Sequence, residues 1–363
     1  MVFDTTASNT GHLTAGCRKH VGEIILSKVW DSLKVEVSSS KDISIFLKFR
    51  ETFDALNSED KSNFTFAPPT DNPFLAEQRQ LICNLLSNFK GENSLIRADY
   101  RELSDLVLMY LSSSVPDNYT MQKPGATHKA RWMGKLLYAL KIVILEKAIA
   151  KISPKPYSRH QIEKIKRFTN FLVHINVPWW FTCSTSATAP SNDLLFINHL
   201  IMYQEIDKVV GPSALTAFKR HLWYLSSDMV PLVLFDANLQ NEQKQNVADA
   251  IKQYPLRDTY QTRFGNGFGK PKFSSVDQNT KLELLIDQDS WQFFNLLQID
   301  SAFLNAPVAT WDTCESYLNG KKIVDSLKVC NDSAERGVKL ASDFLKSAKK
   351  EQRYQQVLQV GGE

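Results

Sequence analysis

The chain has 363 residues, 43% of them hydrophobic, and a formal net charge of +4. This length and apolar content support a large buried core in one to three domains, and 14 Gly and 14 Pro are too few for a low-complexity or disordered chain. The net charge is too small to indicate a nucleic-acid partner by itself.

Cysteine usage and hydropathy predict an intracellular protein that does not span a membrane. Five cysteines are dispersed without a Cys-x-x-Cys pair, which is typical of reduced thiols in the cytosol or nucleus. The N-terminus is polar from Asp4 to Thr10, unlike a secretory signal. The most apolar stretch, Leu136 to Ala150, is interrupted by Lys141, Glu146 and Lys147, which disfavours a membrane span. We therefore expect nuclear or cytoplasmic localisation and no membrane partner.

Apolar residues recur at spacings of three and four along most of the chain, which predicts a mainly α-helical fold. The first part carries this pattern at 24–33, 45–56, 81–89, 103–110 and 132–149. Further helices are predicted at Arg159–Val173, Asp193–Val209, Ser213–Leu225, Asn241–Tyr254, Ser290–Leu297 and Ser333–Ala348. The segment 259–279 is rich in Gly, Asn, Ser and Gln and is predicted to be a loop. It lacks the P-loop pattern, because Pro271 follows Lys270.

Two acidic motifs lie at opposite ends of the sequence, around Asp4 and Glu335. Carboxylates that converge in a fold can hold the divalent ions used in two-metal phosphoryl transfer. Each acid also has a structural interpretation. Asp4 lies among Thr, Ser and Asn residues that favour turns and caps, and Glu335 follows Asp332 at the spacing of a capping box. The local pattern leaves both interpretations open.

Positive charge is concentrated between residues 129 and 167. This basic stretch holds eleven Lys or Arg residues and two acids, Glu146 and Glu163. An Arg131-Trp132 pair lies near the start of its helical part. The stretch is a candidate surface for DNA, and the structural alternatives are a solvated basic face and core packing of Trp132.

The order of these motifs resembles that of the hAT superfamily of DNA transposases, in particular hAT-like proteins of invertebrate genomes. In that family an aspartate motif is followed by Cys-x-x-His, then by an Arg-Trp pair in a helical insertion and a Glu-Arg pair that opens a late helix. The matching residues here are Asp4 with Asn9, Cys17 with His20, Arg131 with Trp132, and Glu335 with Arg336. The resemblance extends over nearly the whole chain, although the middle matches only loosely. Cys17 and His20 are also one helical turn apart, so both could simply face a core.

The resemblance implies a mainly α fold with a large helical insertion domain and a remnant of an RNase H-like α/β core. It places the core remnant, with the Asp motif and Cys-x-x-His, at residues 1–22. The helical insertion domain follows at 23–322, and a C-terminal core and dimerisation segment with the Glu motif occupies 323–363. A homo-oligomer formed through that last segment is therefore expected.

The ancestral activity implied by the resemblance is metal-dependent cleavage and strand transfer of DNA. Asp4 and Glu335 would be the catalytic residues and the metal ligands, with Mg²⁺ or Mn²⁺ as cofactor. The residues that would contact DNA, the expected partner, are His128, Lys129, Arg131, Trp132 and Lys135. The tryptophan of the family stacks on a flipped base, an interaction that contributes about 1–3 kcal/mol.

Two departures from the family predict that the chain is catalytically inactive. The family has a further acid on a strand before the position of Asp4, where this chain has only Met1, Val2 and Phe3. Asp4 and Cys17 are also too close for the helix and strand that normally separate those motifs. Two functions remain open: a transposase-derived protein without cleavage activity, or a helical DNA-binding or protein-interaction module kept after catalysis was lost.

Overall fold

The computed structural model describes residues 18–35, 43–56, 58, 60–91, 98–117, 119–125, 132–152, 157–183, 185–221, 223–256 and 276–327. Over these ranges the secondary structure is helical and no strand is present, so the mainly α prediction is confirmed. The RNase H-like remnant was predicted for the two ends of the chain. Residues 1–17 and 328–363 lie outside the described ranges, and the remnant stays a prediction.

The described residues contain thirteen α-helices. They are α1 (Arg18–Ser32), α2 (Ser44–Thr52), α3 (Pro73–Gly91), α4 (Ala98–Ser112), α5 (Trp132–Ile144), α6 (Glu146–Ile152), α7 (Arg159–Phe171), α8 (Val177–Thr182), α9 (Ala189–Ile206), α10 (Val210–Phe218), α11 (Asn241–Lys252), α12 (Trp291–Leu297) and α13 (Glu315–Ser326). A π-helical turn, Leu172–Asn176, joins α7 to α8. None of the described helices is both long and apolar enough to cross a membrane. The helix predicted at Ser333–Ala348 and most of the predicted loop at 259–279 lie outside the described ranges.

Local sequence explains where α7 begins and which face it buries. The side chain of Ser158 accepts a hydrogen bond from the backbone N–H of Gln161 at 3.1 Å, and the Gln161 side chain accepts from the Ser158 N–H at 3.0 Å. This reciprocal pair is a capping box, which satisfies two amides at the helix start. Ile162 and Ile165 lie on the buried face. The helix predicted to start at Arg159 is therefore confirmed.

The end of α9 differs from the prediction. Periodicity predicted one helix over Asp193–Val209, whereas α9 ends at Ile206. Asp207 causes the break, because its Oδ1 accepts hydrogen bonds from the N–H groups of Val209 and Val210, both at 2.9 Å. A carboxylate in this position satisfies the first amides of the next helix, so α10 begins at once.

One hydrophobic core cluster extends from Val21 in α1 to Val324 in α13. Trp30 shows how it is assembled, because its ring packs against Phe46 of α2 and Phe168 of α7 with ring centroids 5.2 and 5.1 Å apart. Buried aromatic rings contribute large apolar areas. Helices distant in sequence are therefore joined through shared side chains.

Candidate functional site

Most of the predicted site residues lie outside the described part of the chain. These are the predicted catalytic and metal-binding residues Asp4 and Glu335 and the predicted DNA contacts His128, Lys129 and Arg131. Trp132 is the first residue of α5, and only its backbone is described. Among the predicted contacts, Lys135 is the one whose side chain can be located.

Lys135 lies near α1, half-buried and close to two acids of that helix, Glu23 and Asp31. Burial lowers the pKa of the Lys135 ammonium group, and the two carboxylates oppose this shift. The charge of Lys135 is therefore partly balanced within the protein. It is less suited to neutralising a DNA phosphate than an unpaired surface lysine would be.

Lys141, also in the basic stretch, has a structural role. It is 1% exposed, its Nζ lies 2.5 Å from Oε1 of Glu102 in α4, and it donates to the carbonyl of Gln122 at 2.7 Å. Burial lowers the pKa of Lys141, while Glu102 opposes that change. This lysine ties α5 to α4 and is shielded from any external ligand. The sequence contained a signal for this structural role, because Lys141 lies in the middle of an apolar helical stretch and a buried charge requires a partner.

The two acids of the basic stretch are both bound by one lysine. Nζ of Lys166 lies 3.0 Å from Glu146 and 3.7 Å from Glu163. The neighbouring Arg167 forms a bidentate pair with Asp207, at 2.8 Å through Nε and 2.7 Å through Nη2. Burial alone would raise the pKa of Asp207, but the bonds from Arg167 and from backbone N–H groups lower it overall. Lys166 and Arg167 therefore serve mainly to hold helices together.

A buried ion pair anchors the N-terminal end of the described chain. Arg18, the first residue of α1, and Asp193 of α9 are 3% and 2% exposed. Nε of Arg18 donates to Oδ1 of Asp193 at 2.9 Å, and Nε1 of Trp179 donates to the same oxygen at 3.0 Å. The Arg18 guanidinium also lies 4.0 Å from the centre of the Trp179 ring and donates to the side chain of Asn192. Burial raises the pKa of Asp193, and its bonds with Arg18 and Trp179 counteract that rise.

The C-terminal end of the described chain reaches the same place. Oγ of Ser186, in the turn before α9, donates to the carbonyl of Val324 in α13 at 2.8 Å. Ser186 lies in the turn before α9 and Asp193 lies near the beginning of that helix, so both contacts are made near the start of α9. The first and last described helices, α1 and α13, thus both make contacts near the start of α9. We call this place, formed by Arg18, Asp193, Ser186 and Val324, the junction.

Sequence reasoning missed the junction because its partners are 175 and 138 positions apart. Periodicity and capping report on neighbours within a few residues, and they contain no information on such pairings. The predicted boundary between residues 22 and 23 lies close to the junction but inside α1.

Within the described ranges, no three His, Cys, Asp or Glu side chains are grouped closely enough to hold a metal ion. Asp4 and Glu335 are not part of those ranges. No protein family, curated protein or solved structure matches this chain.

Proposed function

We propose that this chain is a transposase-derived DNA-binding protein in which the helical unit is a domain inserted between two flanking segments. The junction is the observation that carries this proposal. An inserted domain needs its first and last elements close together, so that the segments on either side continue as neighbours. The contacts of Arg18 and Val324 at the start of α9 meet that requirement.

The junction also bears on the two acidic motifs. Asp4 lies fourteen residues before Arg18, and Glu335 lies eight residues after Leu327. Extended chains of these lengths reach about 45–50 Å and about 25–30 Å. Because Arg18 and Val324 both make contacts near the start of α9, the reach of the two segments would allow the two carboxylates to converge. Asp4 and Cys17 are too close for the helix and strand that separate the corresponding motifs of the hAT family, so we propose that the chain binds DNA without cleaving it.

Incubation of the purified 363-residue chain with Mn²⁺ and linear or hairpin DNA tests the loss of catalysis. We expect no cleavage above background. Cleavage that disappears in Asp4→Ala and in Glu335→Ala but persists in Glu315→Ala, a matched change of an exposed acid on α13, would refute that part of the proposal. DNA binding is measured separately by fluorescence anisotropy. Absence of binding to a duplex at about 50 mM salt, where electrostatic binding is strong, would refute the DNA-binding part.

The alternative function is a helical protein-interaction module, and an apolar stripe on α9 favours it. Leu195 and Met202 are exposed and two helical turns apart on α9. A seven-residue spacing places side chains on one face of a helix, where a partner helix could bury them. Self-association in sedimentation velocity that is lost in Leu195→Glu/Met202→Glu would support this alternative. A monomer at all concentrations would contradict it for self-association.

A further inference from the structure

We infer that duplex DNA binds through a basic face along the first half of α7, to which the ends of α1 and α2 contribute. We call it the α7 basic face, and its members are Lys34, Lys48 and Lys164. The inference rests on the DNA-binding part of the proposed function and moves the contact surface away from the predicted positions on α5.

Contacts between three helices assemble this face. Nζ of Lys164 donates to the carbonyl of Lys34 at 2.8 Å, which brings α7 to the C-terminal end of α1. Nζ of Lys48 lies 5.9 Å from the centre of the Tyr157 ring, just before α7. The Tyr157 hydroxyl donates to the carbonyl of Ile45 at 3.1 Å and so holds the start of α7 against α2. Cations that are far apart in sequence therefore line one side of α7.

The length of the face suits a nucleic-acid backbone. Lys164 lies five residues after the first residue of α7, which corresponds to roughly 7–8 Å along the helix, and the Lys48 ammonium group lies beside Tyr157, just before that first residue. Duplex DNA carries one negative charge per about 1.7 Å of its axis. A surface of this length therefore faces several phosphates at once.

The cations of this face have no ion pair with an acid within the described residues, unlike Lys141, Lys166 and Arg167. Lys34 and Lys48 are exposed, and Lys164 is partly exposed. The nearby Glu163 is bound by Lys166. Lys164 contributes one N–H to a carbonyl at the end of α1, where the helix dipole favours a cation, and it keeps two further donors.

Lys135, Lys141 and Arg167 lie outside this face. Lys135 is half-buried near two acids, and the other two are committed to ion pairs with Glu102 and Asp207. The same stretch of sequence thus contains cations that hold the fold together and cations that remain available to a polyanion. Only the second kind supports DNA binding.

The test compares two triple variants of the full chain with equal loss of charge. The first is Lys34→Gln/Lys48→Gln/Lys164→Gln. The control is Lys281→Gln/Lys321→Gln/Lys322→Gln, with one change just before the 3-10 turn Leu282–Leu285 and two in α13. Binding to a fluorescent DNA duplex is measured by anisotropy from about 50 to 200 mM salt, the range over which phosphate contacts weaken strongly.

Three lost phosphate contacts should reduce the slope of log affinity against log salt by about 2.7, so that wild type loses about 40-fold more affinity over this salt range than the first variant. The control should keep the wild-type slope. An unchanged slope in the first variant, or an equal reduction in the control, would overturn the inference while leaving DNA binding itself intact. No binding by wild type would instead refute the proposed function.

Lysine acetylation of the wild-type chain, followed by mass spectrometry, provides a readout that does not depend on the variants folding. Bound duplex should protect Lys34, Lys48 and Lys164 and leave Lys281 reactive. Equal reactivity of all four lysines with and without DNA would also overturn the inference.

Discussion

Replacing Arg18 by methionine tests how strongly the junction depends on its ion pair. In the native protein the buried Asp193 accepts hydrogen bonds from Arg18 at 2.9 Å and from Trp179 at 3.0 Å. Methionine keeps apolar contact with the Trp179 ring but removes the guanidinium, which leaves a buried carboxylate with one fewer donor. Removing one partner of a buried pair costs about 3–5 kcal/mol, and we expect the free energy of unfolding to fall by that amount.

The double variant Arg18→Met/Asp193→Leu separates charge from packing. It leaves no unpaired charge, and replacing both members of a buried ion pair by apolar residues is often neutral or stabilising. We therefore expect the double variant to be more stable than Arg18→Met alone. Urea denaturation followed by far-UV circular dichroism, applied to wild type, both single variants and the double variant, measures this coupling.

Two results would refute the reasoning. One is an unfolding free energy for Arg18→Met within about 1 kcal/mol of wild type, well below the loss typical of a broken buried pair. The other is simple addition of the two single losses in the double variant, which would mean that Arg18 and Asp193 are not energetically coupled.

Three further predictions concern pH, packing and metal. His174 is 4% exposed and burial lowers its pKa from 6.5 to about 4, so below about pH 6.5 the unfolded chain binds more protons and stability falls as the pH decreases towards 4, by about 2 kcal/mol at pH 5. His174→Phe should flatten this part of the stability profile, and an unaltered profile would contradict the assignment. In Gly211→Ala the new Cβ would lie 2.6 Å from Cα of Gln204, which should destabilise the α9–α10 contact by about 1–3 kcal/mol. Gly125→Ala, whose Cβ would meet nothing within 4 Å, should be nearly neutral, and equal melting temperatures for the two variants would show that the backbone yields. Mn²⁺ should leave the melting temperature of both wild type and Glu335→Gln unchanged, whereas stabilisation of wild type alone would reveal a metal site.

The helical character of the chain could be predicted from the sequence because helices depend on short-range periodicity and caps. The start of α7 follows from Ser158 and Gln161, three residues apart, and α11 and α12 begin within one residue of their predicted starts. Apolar periodicity did not predict the break after Ile206. Apolar periodicity continues to Val209, and only the capping bonds of Asp207 show that a new helix begins.

The sequence of the basic stretch does not show which of its cations form ion pairs inside the fold. The count of eleven cations to two acids is correct, but it does not say which cations are available. Lys141 is buried against Glu102, and Arg167 is paired with Asp207, forty positions away. Lys164 instead lies beside Lys34, a neighbour that no local pattern indicates.

The sequence alone determined that the chain is mainly helical and where some of its helices begin, among them α5, α7 and α11. Only the tertiary structure decided that the first and last described helices both contact the region around the start of α9, through Arg18–Asp193 and Ser186–Val324. The physical reason is the distance along the sequence over which each kind of interaction acts. Periodicity and capping act over three or four residues, whereas the pairing of buried charges depends on which helices the core brings together.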